Sequence, residues 1–133
     1  MTKTKKRQER SVSDNLCKVI AERYPEQFIE WLFNVKAKVK VMKTELNREP
    51  IRADSVISLT SETEIFHCEF QTTIKSTVPV PLRMLDYYVG FKRQNPLKRI
   101  RQAVIVLIDS GEEILDHYRD ERTFHSFDVV ILW

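Results

Sequence analysis

The sequence predicts an α/β protein: a mixed central β-sheet flanked by helices. Three observations predict it. Segments with apolar residues at helical spacing alternate with segments of period two along the 133-residue chain. Residues 103–108, Ala-Val-Ile-Val-Leu-Ile, form an unbroken apolar and β-branched run, which suits a strand covered on both faces. A helical segment separates that run from a preceding β-hairpin, and such a crossover lets the strands on either side of it lie parallel in one sheet.

Residues 1–12 are polar and charged and are expected to be a basic disordered tail, with a single folded core over 13–133. Ser13 and Asp14 are N-cap candidates for a helix over 14–23, on which Leu16, Val19 and Ile20 share a face. Phe28, Ile29, Leu32 and Phe33 repeat that spacing. Pro25 separates the two segments and suits the first turn of a second helix, 25–34, where the amide that proline lacks would have no partner. From Val39 the period falls to two: Val39, Val41 and Lys43 alternate with Lys40, Met42 and Thr44, as in a half-buried strand.

Two β-rich runs, 52–59 and 64–72, are joined by the polar residues 60–63 and read as an antiparallel hairpin. Pro79 and Pro81 open a helix whose apolar stripe is Leu82, Leu85, Tyr88 and Val89. It stops before Pro96, because the residue ahead of a proline avoids the α region. The central strand 103–108 follows, and Asp109-Ser110-Gly111 turns the chain. Residues 112–126 fit either a short helix or a hairpin arm, and 127–133 fit a last strand.

The composition, 42% hydrophobic and 31% charged, is globular and too apolar for disorder. With only Gly90 and Gly111, neither GxGxxG nor GxxxxGK can be written, which excludes glycine-cradled phosphate loops. The net charge is +3, but residues 1–10 hold five Lys and Arg against Glu9, so the remainder carries a net −1. The folded part therefore lacks the basic excess that marks polyanion binders. Cys17 and Cys68 lie in apolar runs without CxxC spacing and read as small buried hydrophobes in a reducing compartment. No apolar run approaches the ~18 residues of a membrane span, and no apolar segment follows the charged N-terminus. The expectation is a cytoplasmic protein with no membrane partner.

The hairpin carries the chemistry. On its second strand Phe66, Cys68 and Phe70 point to one face of the sheet, and Ile65, His67, Glu69 and Gln71 to the other. A carboxylate on a covered face is costly unless paired or bound to a metal; on a solvated face it costs nothing, and the strand alone leaves both open. Asp54 opens the preceding strand, 15 residues before Glu69 across the hairpin. If the turn lies near 61–63, the two carboxylates converge at the open ends of the pair. Together they make a hard, oxygen-rich site suited to Mg2+, which could activate a water and neutralise charge on a phosphoryl group.

An Asp opening the second strand, Glu-x-Lys or Glu-x-Gln on the third, then a helix and a hydrophobic strand, resembles the plan of the PD-(D/E)XK nucleases. The local wording is more specific. Arg52-Ala53-Asp54, His67-Cys68-Glu69-Phe70-Gln71-Thr72 and Pro81-Leu82-Arg83-Met84-Leu85-Asp86-Tyr87-Tyr88 are together similar to the Rpn family of recombination-promoting nucleases and transposase-like proteins, abundant in cyanobacteria. The closing run 127–133 fits the strand that ends that family's core, and the resemblance spans roughly residues 14–133. It implies a PD-(D/E)XK fold, a Mg2+ (or Mn2+) cofactor and DNA as partner. It implies Asp54 and Glu69 as metal ligands and Asp54, Glu69 and Gln71 as the catalytic set, Gln71 positioning the attacking water or the scissile phosphate. Gln71 stands where lysine is more usual; it can exchange hydrogen bonds but brings no positive charge. Relatives commonly continue past this point, so a core without a C-terminal extension is expected.

Other residues are candidates for support. Glu45, at the end of the first strand, is the chosen third acid. Arg83 and Tyr87 lie four apart on one helical face; they contact the substrate backbone or anchor the site, or Arg83 pairs with a site carboxylate. Lys36, Lys38, Lys40 and Lys43 form one basic cluster. Lys92, Arg93, Lys98 and Arg99, with Arg101, form another that could track phosphates. Residues 109–128 oppose them with seven acids and two Arg, so the charge is bipolar. His67 shares the face of Glu69 and borders the site, while His117 and His125 read as surface or packing residues. Against a DNA endonuclease stand two other readings: a catalytically weak or inactive nucleic-acid-binding or interaction module on the same fold, and a chain that forms a homodimer through an exposed sheet edge.

Overall fold

The computed structural model describes residues 16–42, 56–71, 79–107, 109, 111 and 113–132. A helix over 16–23 (α1) leads into α2 (Pro25–Phe33), β1 (Lys40–Val41), β2 (Val56–Thr60), β3 (Glu64–Gln71), α3 (Val80–Gln94), β4 (Arg99–Val106), β5 (His117–Arg119), β6 (Phe124–Ser126) and β7 (Asp128–Ile131). Strands β1-β2-β3-β4-β7 lie side by side in one sheet; β5 and β6 make a separate hairpin. The β1–β2 and β2–β3 pairs are antiparallel, and the β3–β4 and β4–β7 pairs parallel. The fold is thus α/β with a mixed five-stranded sheet and helices, as the sequence predicts. Among the described residues no helix is long and apolar enough to cross a membrane.

The alternation of β3 builds two cores. Phe66, Cys68 and Phe70 pack with Ala103 and Ile105 of β4 against Phe28, Ile29 and Phe33 of α2. The Phe33 and Phe66 rings lie 5.3 Å apart, and those of Phe28 and Phe70 6.3 Å apart. Pro25 takes the first turn of α2, and Asn34 ends the helix in the left-handed region at φ 56°, where its N–H reaches Glu30 O at 3.0 Å. Asn tolerates that conformation better than most residues. On the opposite face Met84 of α3 packs on Val104 and Val106, and Tyr87 and Phe91 on Ile65.

Several expectations change. The face bearing His67, Glu69 and Gln71 is buried beneath α3, not solvated. The inward stripe of α3 is Arg83, Met84, Tyr87, Gly90 and Phe91, whereas Leu82 and Val89 are exposed. The inward face is displaced from the apolar stripe because the buried Glu69 carboxylate draws Arg83 inside. β4 begins at Arg99 rather than Ala103, since parallel pairing with β3 starts at Glu64↔Arg99. The 112–126 segment holds the β5–β6 hairpin and no helix among its described residues. In its turn the Asp120 carboxylate accepts the Arg122 and Thr123 amides at 2.9 and 2.8 Å. The residues of β1 are exposed rather than half-buried, with β1 at the edge of the sheet. Cys68 is buried and burial pushes its thiol pKa up, while Cys17 is only partly buried; neither is in a disulfide.

Candidate active site

Strands β3 and β4 run parallel and end together at Gln71↔Val106. In open α/β sheets ligands bind at such carboxyl ends. Near that end Glu69 has Val56 of β2 and Val104 of β4 as Cα partners, so its carboxylate rises between apolar walls. Arg83, in the first turns of α3, meets it from above: its Nη2 donates to Glu69 Oε1 and, at 3.3 Å, to Gln71 Oε1. Glu69 is 1% exposed and Arg83 7%. Burial pushes the Glu69 pKa up, and the Arg83 guanidinium opposes that rise by its charge and its hydrogen bond. Of the roles open to Arg83, the structure realises the ion pair with a site carboxylate. A pair this buried must be matched closely, because each charge has lost its water.

A second polar layer lies beside it. Gln102 of β4 is the Cα partner of His67. Its Nε2 donates to Met84 O at 2.8 Å and to His67 Nδ1 at 2.9 Å, and its Oε1 meets His125 Nε2 at 2.6 Å. A carbonyl can only accept, so the nitrogen must face Met84. His67 Nδ1 is then an acceptor with its proton on Nε2, and His125 donates from Nε2. Burial, then the charge of Arg83, holds the His67 pKa down at about 3, so the ring is neutral at physiological pH. It stacks on Tyr87 with centroids 4.5 Å apart. Tyr87 therefore supports His67, and through it the site.

Glu69 Oε2 is enclosed and has no hydrogen-bond partner among the described residues. A hard carboxylate oxygen of this kind suits Mg2+ or Mn2+ as a donor. The described residues contain no group of three or more His, Cys, Asp or Glu able to hold a metal ion. Within them the fit is to one ligand, Glu69. Asp54 and Glu45, the other predicted acids, lie outside the described residues.

The basic cluster is placed elsewhere. Lys98 and Arg99 stand at the start of β4, level with Glu64, roughly 17 Å along the sheet from Glu69 at ~3.3 Å per residue. Lys98 Nζ donates to Thr60 Oγ1 at 2.8 Å and Ser61 O at 2.9 Å, tying β4 to the β2–β3 turn. Lys92 Nζ donates to Lys98 O at 2.7 Å; Arg93 is exposed at the end of α3. The structure brings Glu69, Gln71, Arg83 and Tyr87 together and sets Lys98 and Arg99 apart from them.

Two participants escaped the sequence reading. Gln102 is a lone amide at the head of an apolar run, and only the parallel register reveals it as the partner of His67. Glu113 sits on the rim of a cavity of about 260 Å3 beside Gln71, whose other walls are Pro79, Val80, Pro81, Val104, Val106, Ile114 and Leu115. Its segment was the ambiguous one, so nothing in the sequence directed it there.

No protein-family model and no curated protein matches the sequence. Among solved structures, the chain is similar to a crystal structure of an XisH family protein from Nostoc punctiforme, at 11% identity and a TM-score of 0.31. The match covers 60% of this chain and 65% of that one, less than two thirds of its length, and a likeness of this degree carries no functional argument.

Proposed function

We propose that the chain is a Mg2+-dependent nuclease of the PD-(D/E)XK type that hydrolyses phosphodiester bonds in DNA. One observation carries the reading: a buried Glu69–Arg83–Gln71 cluster at the carboxyl ends of two parallel strands. A buried charge there is expensive and adds nothing to a core that Leu or Val could fill, which favours a chemical role. Glu69 would hold the metal through Oε2, with Asp54, two residues ahead of Val56, supplying the second carboxylate. The chemistry such a cation would supply there is a lowered pKa for a bound water and neutralisation of charge on the phosphoryl group. Arg83 brings to Gln71 the positive charge that a lysine in its place would have carried. Gln71 then orients the water by hydrogen bonding, and hydrolysis adds the water oxygen to phosphorus as the ester P–O bond breaks.

A second reading is favoured by the same ion pair: Arg83 already occupies Oε1, and the cluster is closed to solvent. In that reading the fold binds a partner without cleaving it. Purified protein incubated with supercoiled plasmid and Mg2+ or Mn2+ separates the two. Metal-dependent nicking is expected, falling at least ~100-fold in Asp54→Ala and Glu69→Gln, the scale of losing a stabilising group in the transition state. Equal nicking by all three proteins refutes the assignment. DNA binding without nicking supports the second reading.

A further inference from the structure

We propose that the cavity beside Gln71 binds a single unpaired nucleobase, so that the strand engaged at Glu69 and Gln71 is single-stranded. The proposal deepens the nuclease reading and rests on it for the identity of the ligand. The cavity lies at the carboxyl ends of β3 and β4, where Pro79, Val80 and Pro81 begin α3, and Gln71 lines it, so a strand engaged at Gln71 has a neighbouring base at this opening. At about 260 Å3 it falls just below the ~300 Å3 at which ligand pockets usually begin. That is room for one ring system, not for a base pair.

Its chemistry separates a base from a phosphate. The walls are aliphatic, with the prolines offering flat apolar surface to a ring face. Among the described residues no Lys or Arg lines the cavity, and the nearby Arg83 is engaged with Glu69 and Gln71. The charged group that does line it, Glu113, repels phosphate. A carboxylate accepts hydrogen bonds, and the exocyclic amino groups of cytosine, adenine and guanine donate them; thymine has none. Gln71 adds an amide to the lining. A base in a duplex reaches such a pocket only after unpairing and unstacking, at a cost of a few kcal/mol that a single strand does not bear.

The test reads binding, not cleavage. Anisotropy of an end-labelled oligonucleotide is measured in EDTA, single-stranded and as a duplex, for the wild-type protein and for Leu115→Trp. Leu115 is an exposed rim residue, so the indole fills the cavity without disturbing the core, and an unchanged melting temperature verifies this. The wild-type protein is expected to bind the single strand at least ~10-fold more tightly than the duplex, and Leu115→Trp to remove that preference. Glu113→Gln, which keeps the shape, is expected to narrow the difference between oligo-dC and oligo-dT. Equal affinity for the two forms, or a preference unchanged in Leu115→Trp, overturns the proposal. Plasmid nicking without single-strand preference leaves the nuclease standing and removes the pocket. Single-strand preference without nicking by any form leaves the pocket standing and removes the nuclease.

Discussion

Replacing Arg83 by Met removes the counter-charge of Glu69 while keeping most of the aliphatic stem in place. The carboxylate is then left 1% exposed, with Val56 and Val104 beside it in the sheet. Breaking a buried pair from one side costs about 3–5 kcal/mol. With a urea dependence of about 1–3 kcal/mol per molar, the unfolding midpoint at pH 7 should fall by roughly 2 M. The loss should depend on pH. Burial already raises the Glu69 pKa and Arg83 opposes that rise, so without Arg83 the folded-state value climbs further above the ordinary ~4.3. A carboxyl whose pKa is raised on folding holds its proton better in the folded state. Its penalty is therefore absent below the unfolded value and grows as pH rises toward the folded one. Arg83→Met should lie nearer to wild type at pH 4.5 than at pH 8. Adding Glu69→Gln should restore more than half of the loss at pH 8, and the double-mutant cycle isolates that coupling. The assay is urea unfolding followed by circular dichroism at the two pH values. An equal loss at both, with no rescue by the second substitution, would refute the buried pair.

Two further outcomes follow from burial. Between pH 6.5 and about 3 the unfolded state protonates His67 and the folded state does not, so stability should fall as pH falls through that window, by up to about 5 kcal/mol in total. His67→Phe should flatten this slope in urea midpoints taken at pH 7, 5 and 4, and an unchanged slope would exclude His67 as its source. Phe66→Ala empties a site in the α2-side core, where Phe66 is fully buried; thermal unfolding should report a loss of about 3–5 kcal/mol, and a loss under 1 kcal/mol would contradict the packing.

The sequence by itself determined the order of elements outside residues 112–126, because periodicity is local: Pro25 placed the start of α2, the alternation of β3 divided its faces correctly, and the apolar run before Asp109 marked a strand between two others. It also singled out Glu69, Gln71, Arg83 and Tyr87 as candidates, and the structure brings these four together. What it could not decide was which face of α3 turns inward. The apolar stripe pointed to Leu82, Leu85, Tyr88 and Val89 and left Arg83 open between substrate contact and a carboxylate pair; the ion pair with Glu69 holds it inside. Nor could it place Gln102 against His67, or set Lys98 and Arg99 at the far end of the sheet from Glu69. Those facts follow from the parallel register of β3 and β4, which joins residues some 35 positions apart. A side chain's own chemistry is written in the chain; the charge or amide that makes its burial tolerable comes from another strand or helix, and only the packed structure selects it.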